Sequence, residues 1–574
     1  MTTIERNITN VVNNIKNEFK DIKYTNDQKK TTLNNHQYLI KTFFNNIKFN
    51  DSKGMLLYHK MGTGKSILSI SIAFESNKNI IIFTMANLIS GFTKDIKKYL
   101  NNIGYENIEE FINNKVKFVS LNSYNMRENI GDINNSFIIV DEAHHLSTGV
   151  VNGSKNYIQL YYTIRNANDI SLLLLTGTPI INDAFELIIL FNLLVNKINI
   201  FNENYYEFDS FFTQLKKSNE ILYRTRLKKL RNRIYGLSSV YEQPMDDNYP
   251  KDLGTEVVKC QMTNNQIVKY MNYKKLEDKS KNFNPNFSGG ISKNSNKSSY
   301  RIKTRMICNI DPEEPIMSCI KYNNIYENIL KNNGCCMVYS QFINNYGLLS
   351  FVEFIKQKGY TLYDKVSKNI NSYAIIKGDI AFSERSEIQN SFNSPDNNNG
   401  NIIRILLVSS TGAEGLDLKY IKSVHIMEPY WNMSRVEQIK FRAIRYRSHE
   451  IFKPEDRTVK TYIYLSYMDQ KTTDEDIYDI AKRKQNDIDD YLDIIKKSSI
   501  DCFFYYNDCM TCDVNNLPLF KINSINDLNL PDPCDSKNTG YKEIDIEKVG
   551  DYYIDKKNNK KYKVVSGVYV EVKN

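Results

Sequence analysis

Two short stretches, each an apolar run that ends in charged chemistry, constrain this 574-residue chain more than anything else in it. The first is MLLYHKMGTGKSILSISIA, residues 55–73, and the second is SFIIVDEAHH, residues 136–145. Met55, Leu56, Leu57 and Tyr58 suit the end of a buried parallel strand, and ILSISIA reads as the helix that follows. Between them Gly62 and Gly64 let the backbone turn its N–H groups inward as a cradle for a β-phosphate. Lys65 is placed to reach β- and γ-phosphate oxygens, and Ser66 to ligate Mg²⁺ at the helix N-terminus. The whole loop, His59, Lys60, Met61, Gly62, Thr63, Gly64, Lys65 and Ser66, is the candidate nucleotide cradle. It departs from the usual pattern at its first slot, where His59 replaces a glycine.

The second stretch supplies the partner that such a loop needs. Phe137 to Val140 form a short apolar strand, with Asp141 and Glu142 at its C-terminal end, the edge of an open α/β sheet where ligands bind. Asp141 is expected to hold Mg²⁺ opposite Ser66, and Glu142 to polarise the attacking water. An acidic pair before two histidines could instead cap a helix. That reading weakens because loop and pair each follow an apolar strand, in order. Together they indicate hydrolysis of a nucleoside triphosphate, with ATP and Mg²⁺ as the bound species.

Around these stretches, residues 30–200 alternate apolar strands (KNIIIFTMAN, VKFVSLNS, SFIIVDEA, SLLLLTGTP) with helical segments. A second such series runs over 318–470: CMVYSQF, YAIIKG, IIRILLVSS, SVHIMEP and VKTYIYLS. Such alternation predicts parallel sheets wrapped by helices, so the expected fold is α/β. It consists of two tandem RecA-like lobes, with a helical and flexible insertion between them over 201–317. Residues 1–29 read as a polar, helical N-terminal extension without a signal core. The tract 279–305, rich in Lys, Ser, Asn and Gly, reads as a flexible basic loop within the insertion. The C-terminal extension, 471–574, opens on an amphipathic helix with Ile477, Ile480, Ala481, Ile488, Leu492 and Ile495 on spaced faces; it is expected to pack on the second lobe. Cys502, Cys509, Cys512 and Cys534 include only one compact pair and no histidine, so they read as ordinary thiols rather than zinc ligands. Nine irregularly spaced cysteines fit a reduced, intracellular protein, and no apolar run is long enough to span a membrane. The net charge of +10 is compatible with a nucleic-acid partner.

With these motifs the chain resembles the superfamily-2 helicase and translocase ATPases, whose second motif looks like Asp141-Glu142-Ala143-His144. LLLLTGTPIIND resembles the third motif, with Thr176, Gly177 and Thr178 linking the ATP site to nucleic acid. Gln37, in NHQYLIKTFF, stands where related translocases use a glutamine against adenine. GCCMVYSQF resembles the motif that opens the second lobe, and LLVSSTGAEGLDL the fifth motif. EQIKFRAIRYRSH resembles the sixth, where Gln438, Arg442 and Arg445 match the glutamine and paired arginines; Phe441 replaces the usual glycine. The resemblance implies an arginine finger that neutralises charge on the γ-phosphoryl group. Three-residue spacing predicts both arginines on one helical face. For a phosphate backbone, the strand-end groups Thr84, Asn122, Ser123, Ser340, Ser409 and Ser410, with Gly415, are the expected contacts.

EPYWN, GLSSVYEQP and CQMTNNQIVKY further resemble one viral branch. It holds the small subunit of the poxvirus-type early transcription factor and nucleoside triphosphate phosphohydrolase I. That branch implies a DNA-dependent ATPase serving viral transcription, in initiation or in elongation and termination. Its implied partner is a viral RNA polymerase or a second transcription-factor subunit, in the virion or the cytoplasmic viral factory. Two other readings stand beside it: a processive helicase unwinding DNA or RNA, and an ATP-responsive clamp on promoter DNA or polymerase.

Overall fold

Both expected sheets are present. The computed structural model describes residues 33–46, 52–60, 62–123, 126–196, 199–241, 248–279, 301–364, 371–410, 412, 416–505, 546–549, 552–555, 561–565 and 568–571. The chain divides into two compact units: the first takes in residues up to 242 and from 487 onward, the second the described residues between.

In the first unit the strands are β1 (Gly54–His59), β2 (Asn79–Thr84), β3 (Val116–Ser120), β4 (Ser136–Val140), β5 (Ser171–Thr176) and β6 (Ser238–Tyr241). Their order is β3-β2-β4-β5-β1-β6, and every pairing is parallel. Parallel neighbours need crossover connections, which here are the helices between strands. Successive strand residues face opposite sides, and both sides are covered. Leu56, Ile81, Phe83, Ile138, Val140, Leu172 and Leu174 pack into one apolar cluster. Met55, Leu57, Ile80, Ile82, Ile139, Leu173 and Leu175 pack into the other. This double burial is why the strands read as unbroken apolar runs. The chain leaves β1 for β2 on the far side of β4 and β5, so the order reverses between them. The crevice outside such a reversal is where open α/β sheets bind ligands.

The second unit carries β7 (Lys251–Gln261), β8 (Cys335–Ser340), β9 (Thr361–Leu362), β10 (Ser372–Ile376), β11 (Ile405–Ser409), β12 (Ile421–Ile426) and β13 (Thr458–Tyr467). They form one parallel sheet in the order β7-β13-β12-β8-β11-β10-β9. It too is buried on both faces, with Met337, Leu406 and Val424 on one and Val338, Leu407 and Tyr464 on the other.

Several expectations change. The tract 201–317 is not a separate insertion of helix and loop, because it supplies β6 to the first sheet and β7 to the second. β7 is largely exposed along an edge, so it lacks the apolar signature that marks the central strands. The helix Thr473–Ser498 does not end on the second unit. Its Ile477 and Ala481 are buried near its start, whereas Ile488, Tyr491, Ile494 and Ile495 join the core of the first unit. Spacing of three and four residues aligns those side chains but cannot say which core receives them. The C-terminal extension is not wholly helical, since residues 546–571 contain a four-stranded antiparallel sheet. Cys502 is engaged in a disulfide rather than being an ordinary thiol, a pairing that sequence spacing alone does not reveal. The other described cysteines, Cys260, Cys308, Cys319, Cys335 and Cys336, are free and buried. The extension 1–29, most of the basic tract, Met61, Gly415, Cys509, Cys512 and Cys534 lie outside the described residues. Among the described residues no helix is long and apolar enough to cross a membrane.

Candidate functional site

The loop after β1 is a strained turn that closes on the helix Lys65–Glu75. Gly62 and Gly64 have φ of +81° and +78°, a region that side chains disfavour. A Cβ on Gly64 would also stand 2.5 Å from Nε2 of Gln37. Gln37 belongs to the helix Asn35–Asn46, and its amide donates to the carbonyls of Gly64 at 3.1 Å and Thr63 at 3.3 Å. Its carbonyl oxygen accepts from the N–H of Asn34 at 3.0 Å. Thr63 Oγ1 donates to the carbonyl of Lys60 across the turn at 2.8 Å. Lys65 Nζ donates to the carbonyls of His59 at 2.8 Å and Lys60 at 3.3 Å, so it lies along the loop, half-buried. His59 contributes its backbone to the loop, while its ring is fully buried and bonded to Ser239 of β6 at 2.7 Å. Burial raises the pKa of Asp95, on the helix Ile89–Asn102, with the Ser66 hydroxyl opposing.

Two strands away, β4 delivers the acidic pair. Asp141 Oδ2 accepts from Thr84 Oγ1 at 3.0 Å. Burial, and next the Glu142 carboxylate, raise the Asp141 pKa above its ordinary value, with Lys65 opposing. Glu142 sits at φ +46°, a left-handed conformation rare for a side-chain-bearing residue and held here by its neighbours. Asp141 N–H donates to Phe83 O and Ala143 N–H to Leu175 O, both at 2.8 Å, which pins the peptides flanking Glu142 to β2 and β5. The Glu142 carboxylate lies 3.3 Å from Nδ1 of His144. That nitrogen is also 3.0 Å from Oγ1 of Thr176, which in turn accepts from the N–H of Thr178. The acidic pair, His144 and the Thr176-Gly177-Thr178 turn at the end of β5, the strand between β4 and β1, thus stand side by side, with Glu142 Oε2 buried and not hydrogen-bonded.

Several residues expected at a phosphate backbone are engaged inside their units instead. Thr84 is fully buried and holds Asp141; Ser340 is fully buried and donates to both oxygens of Glu428, at 3.0 and 2.9 Å. Ser409 is buried and accepts from the N–H of Gly412 at 3.1 Å. Hydroxyls at strand ends near buried carboxylates satisfy those carboxylates first. Ser123 and Thr178 stay part-exposed, and Asn122 is exposed, accepting from Ser120 Oγ at 2.6 Å.

In the second unit Arg442 and Arg445 do converge, though not through one helical face. The helix Met433–Ala443 ends before Arg445, which lies beyond it. Both guanidiniums donate to the carbonyl of Leu416, Arg442 at 3.3 Å and Arg445 at 2.6 Å, and Arg445 pairs with Asp417 at 2.8 Å. Gln438 lies 3.5 Å from the guanidinium of Arg435. Arg435, which the sequence reading passed over, donates to both oxygens of Ser410, at 2.7 and 2.8 Å. It sits one helical turn before Gln438, a spacing that pattern matching could have followed. Glu428 was also missed, although MEPYWN places it directly after β12. Asp95, Ser239 and Asp501 carry no sequence signal.

Among the described residues no group of three or more His, Cys, Asp or Glu is arranged to hold a metal. The residues around the loop nevertheless suit a nucleotide-bound cation, with the Ser66 hydroxyl at the helix start and the desolvated Asp141 carboxylate beside Glu142.

The SNF2-related domain model matches residues 36–313, and the helicase conserved C-terminal domain model matches residues 320–447. A termination factor NPH-I homolog of African swine fever virus (isolate Tick/South Africa/Pretoriuskop Pr4/1996) is 30% identical, over 90% of this chain and 87% of the relative. Nucleoside triphosphatase I of Heliothis armigera entomopoxvirus is 25% identical, over 82% of this chain and 79% of the relative.

Proposed function

We propose, for a chain that belongs to the SNF2-related, helicase-like ATPase family whose viral members include the termination factor NPH-I homologs, that it hydrolyses ATP to move along DNA in viral transcription. Membership makes it a nucleoside triphosphate hydrolase of the superfamily-2 helicase type. ATP as the nucleotide, DNA as the track and a viral polymerase or second transcription-factor subunit as partner are our reading, as is a place in the virion or viral factory. The observation that carries it is the juxtaposition of Glu142, His144 and Thr176, which sets the proposed hydrolytic carboxylate beside the neighbouring strand end.

In this reading the backbone of residues 60–64 cradles the β-phosphate, and Lys65 exchanges its loop carbonyls for β- and γ-oxygens. Gln37, already fixed against the loop, is placed to recognise the base. Ser66 and Asp141 would hold Mg²⁺, which when bound neutralises phosphate charge. Glu142 orients the attacking water, and Ala143 and His144 fix its carboxylate. Arg442 and Arg445, with Gln438 beside them, supply positive charge to the γ-phosphoryl group as hydrolysis proceeds. Ser123, Thr178 and Ser410 are the proposed backbone contacts nearest the surface.

ATPase rates measured without nucleic acid, with single-stranded DNA, with duplex DNA and with RNA test this directly. Stimulation by DNA above RNA is expected; equal rates in all four conditions would overturn the DNA-driven reading. DNA binding should weaken steeply with salt, each neutralised phosphate contributing about −0.7 to −0.9 to the slope of log K against log salt. A flat response between low and physiological salt would point to a protein as the true ligand. Glu142→Gln is expected to bind ATP and DNA while losing translocation, whereas a clamp would keep its function without hydrolysis.

A further inference from the structure

The first slot of the nucleotide loop holds a histidine whose side chain is committed elsewhere. His59 ends β1 with its ring fully buried and its Nε2 2.7 Å from Oγ of Ser239 on β6. Ser239 is itself fully buried and directly precedes Val240 in β6, so the strand carries the contact on to Asp501 through its backbone. Asp501 belongs to the short helix Ile500–Tyr505, and its Oδ2 accepts from the N–H of Val240 at 2.7 Å. The remaining polar atoms, Nδ1 of His59 and Oδ1 of Asp501, are buried without a hydrogen-bond partner. Groups this deep are retained at a desolvation cost, so a role beyond packing is expected of them.

The same histidine touches the catalytic loop at two points. Its carbonyl is the nearer acceptor for Lys65 Nζ, at 2.8 Å. Its ring lies edge-on to His36, centroids 6.1 Å apart, and His36 stacks on Tyr241 of β6 at 3.8 Å and 5° from parallel. His36 Nε2 then approaches the carbonyl of Thr63 in the loop at 3.4 Å. One end of the loop is therefore braced through His59, and its crest through His36, both against β6. The bracing strand is held in turn by a residue 261 positions beyond Val240 in sequence, in the segment that follows the helix Thr473–Ser498.

We propose that His59, Ser239 and Asp501 form a positioning relay through which the segment 499–505 fixes the shape of the nucleotide loop, and with it the affinity for ATP. The relay touches neither substrate nor reacting atoms. It acts by setting where the His59 carbonyl and Thr63 stand, and hence how readily Lys65 and the loop N–H groups meet phosphate. The proposal rests on the assignment of this loop as the nucleotide site.

The test uses full-length protein and steady-state ATPase kinetics at saturating DNA, with a thermal unfolding transition for each variant. Ser239→Ala removes the central hydroxyl without leaving a large cavity, and Ser239→Thr restores it. The expected result is a rise in KM for ATP of roughly tenfold in Ser239→Ala, the scale of one hydrogen bond, with kcat within about twofold and recovery in Ser239→Thr. Asp501→Asn should raise KM in the same direction, and combining it with Ser239→Ala should add little, because both interrupt one path. A fall in unfolding temperature with KM and kcat unchanged would overturn the proposal by making the relay structural only. Lys65→Ala, run in parallel, separates the two levels. Loss of turnover there with an unchanged KM in Ser239→Ala removes the relay alone, whereas retained turnover in Lys65→Ala removes the nucleotide-site reading and the relay with it. Should Asp501→Asn fail to fold, the Ser239 pair decides.

Discussion

Replacing Lys65 by alanine is expected to lower ATP turnover by at least about 10²- to 10³-fold, the scale for losing one preorganised charge or donor at a developing anion. The protein should remain folded. Lys65 is half-buried, and it donates to the loop carbonyls of His59 and Lys60 without joining an apolar cluster. Removing it leaves the Lys60 carbonyl still bonded to Thr63 and takes no side chain out of an apolar cluster. The loop shape itself rests on Gly62, Gly64, Gln37 and the Thr63–Lys60 bond, none of which involves the Lys65 side chain. Turnover and the thermal transition, measured on the same preparation, check the prediction. A well-folded variant that still hydrolyses ATP would mean that His59 marks a degenerate loop and that the nucleotide binds elsewhere.

What the sequence reveals, and what it hides, follows from how each feature is encoded. The central strands were legible because burial on both faces demands continuous apolar runs, and Leu172–Leu175 could scarcely be anything else. The loop and the acidic pair were legible because phosphate chemistry needs glycine, lysine and carboxylate at fixed offsets. β7 was hidden because an exposed edge strand carries no apolar period, so KDLGTEVVKCQ read as part of an insertion. The burial of Thr84 and Ser340 was hidden because a hydroxyl at a strand end looks the same whether it faces solvent or a carboxylate. Asp501 was hidden most deeply. Its partner, the N–H of Val240, lies 261 positions earlier, and no local pattern links the backbone of one strand to an aspartate in a late helix. The end of the helix Thr473–Ser498 failed for a related reason: periodicity gives a face, and only the assembled fold gives that face a neighbour.

Arg442→Ala and Arg445→Ala are each expected to lower kcat by about 10³-fold, within the range attributed to arginine fingers, while ATP affinity changes little. Affinity in our reading rests on the loop around Lys65, which lies in the first unit, whereas both arginines belong to the second. Loss should therefore fall on the chemical step, which is the signature of an interaction made only in the transition state. The structure also offers a structural alternative for Arg445. It bridges Leu416 and Asp417, and burial lowers its pKa despite the Asp417 carboxylate. An anchor of that kind holds the segment after β11, and its removal would loosen that segment rather than slow hydrolysis. Arg445→Lys separates the two. A lysine can keep an ion pair with Asp417 but cannot offer the planar fork that spans two acceptors and a phosphoryl oxygen. Thermal stability recovered in Arg445→Lys with kcat still depressed would identify the finger. Recovery of both would make Arg445 an anchor and leave Arg442 as the remaining candidate. Arg442 reaches the same Leu416 carbonyl, at 3.3 Å, so its alanine variant is the second probe of charge supplied to the γ-phosphoryl group. If Arg442→Ala turns over ATP at a near-normal rate at saturating DNA, while binding DNA more weakly, the motif is a phosphate-backbone contact and hydrolysis is completed by other groups.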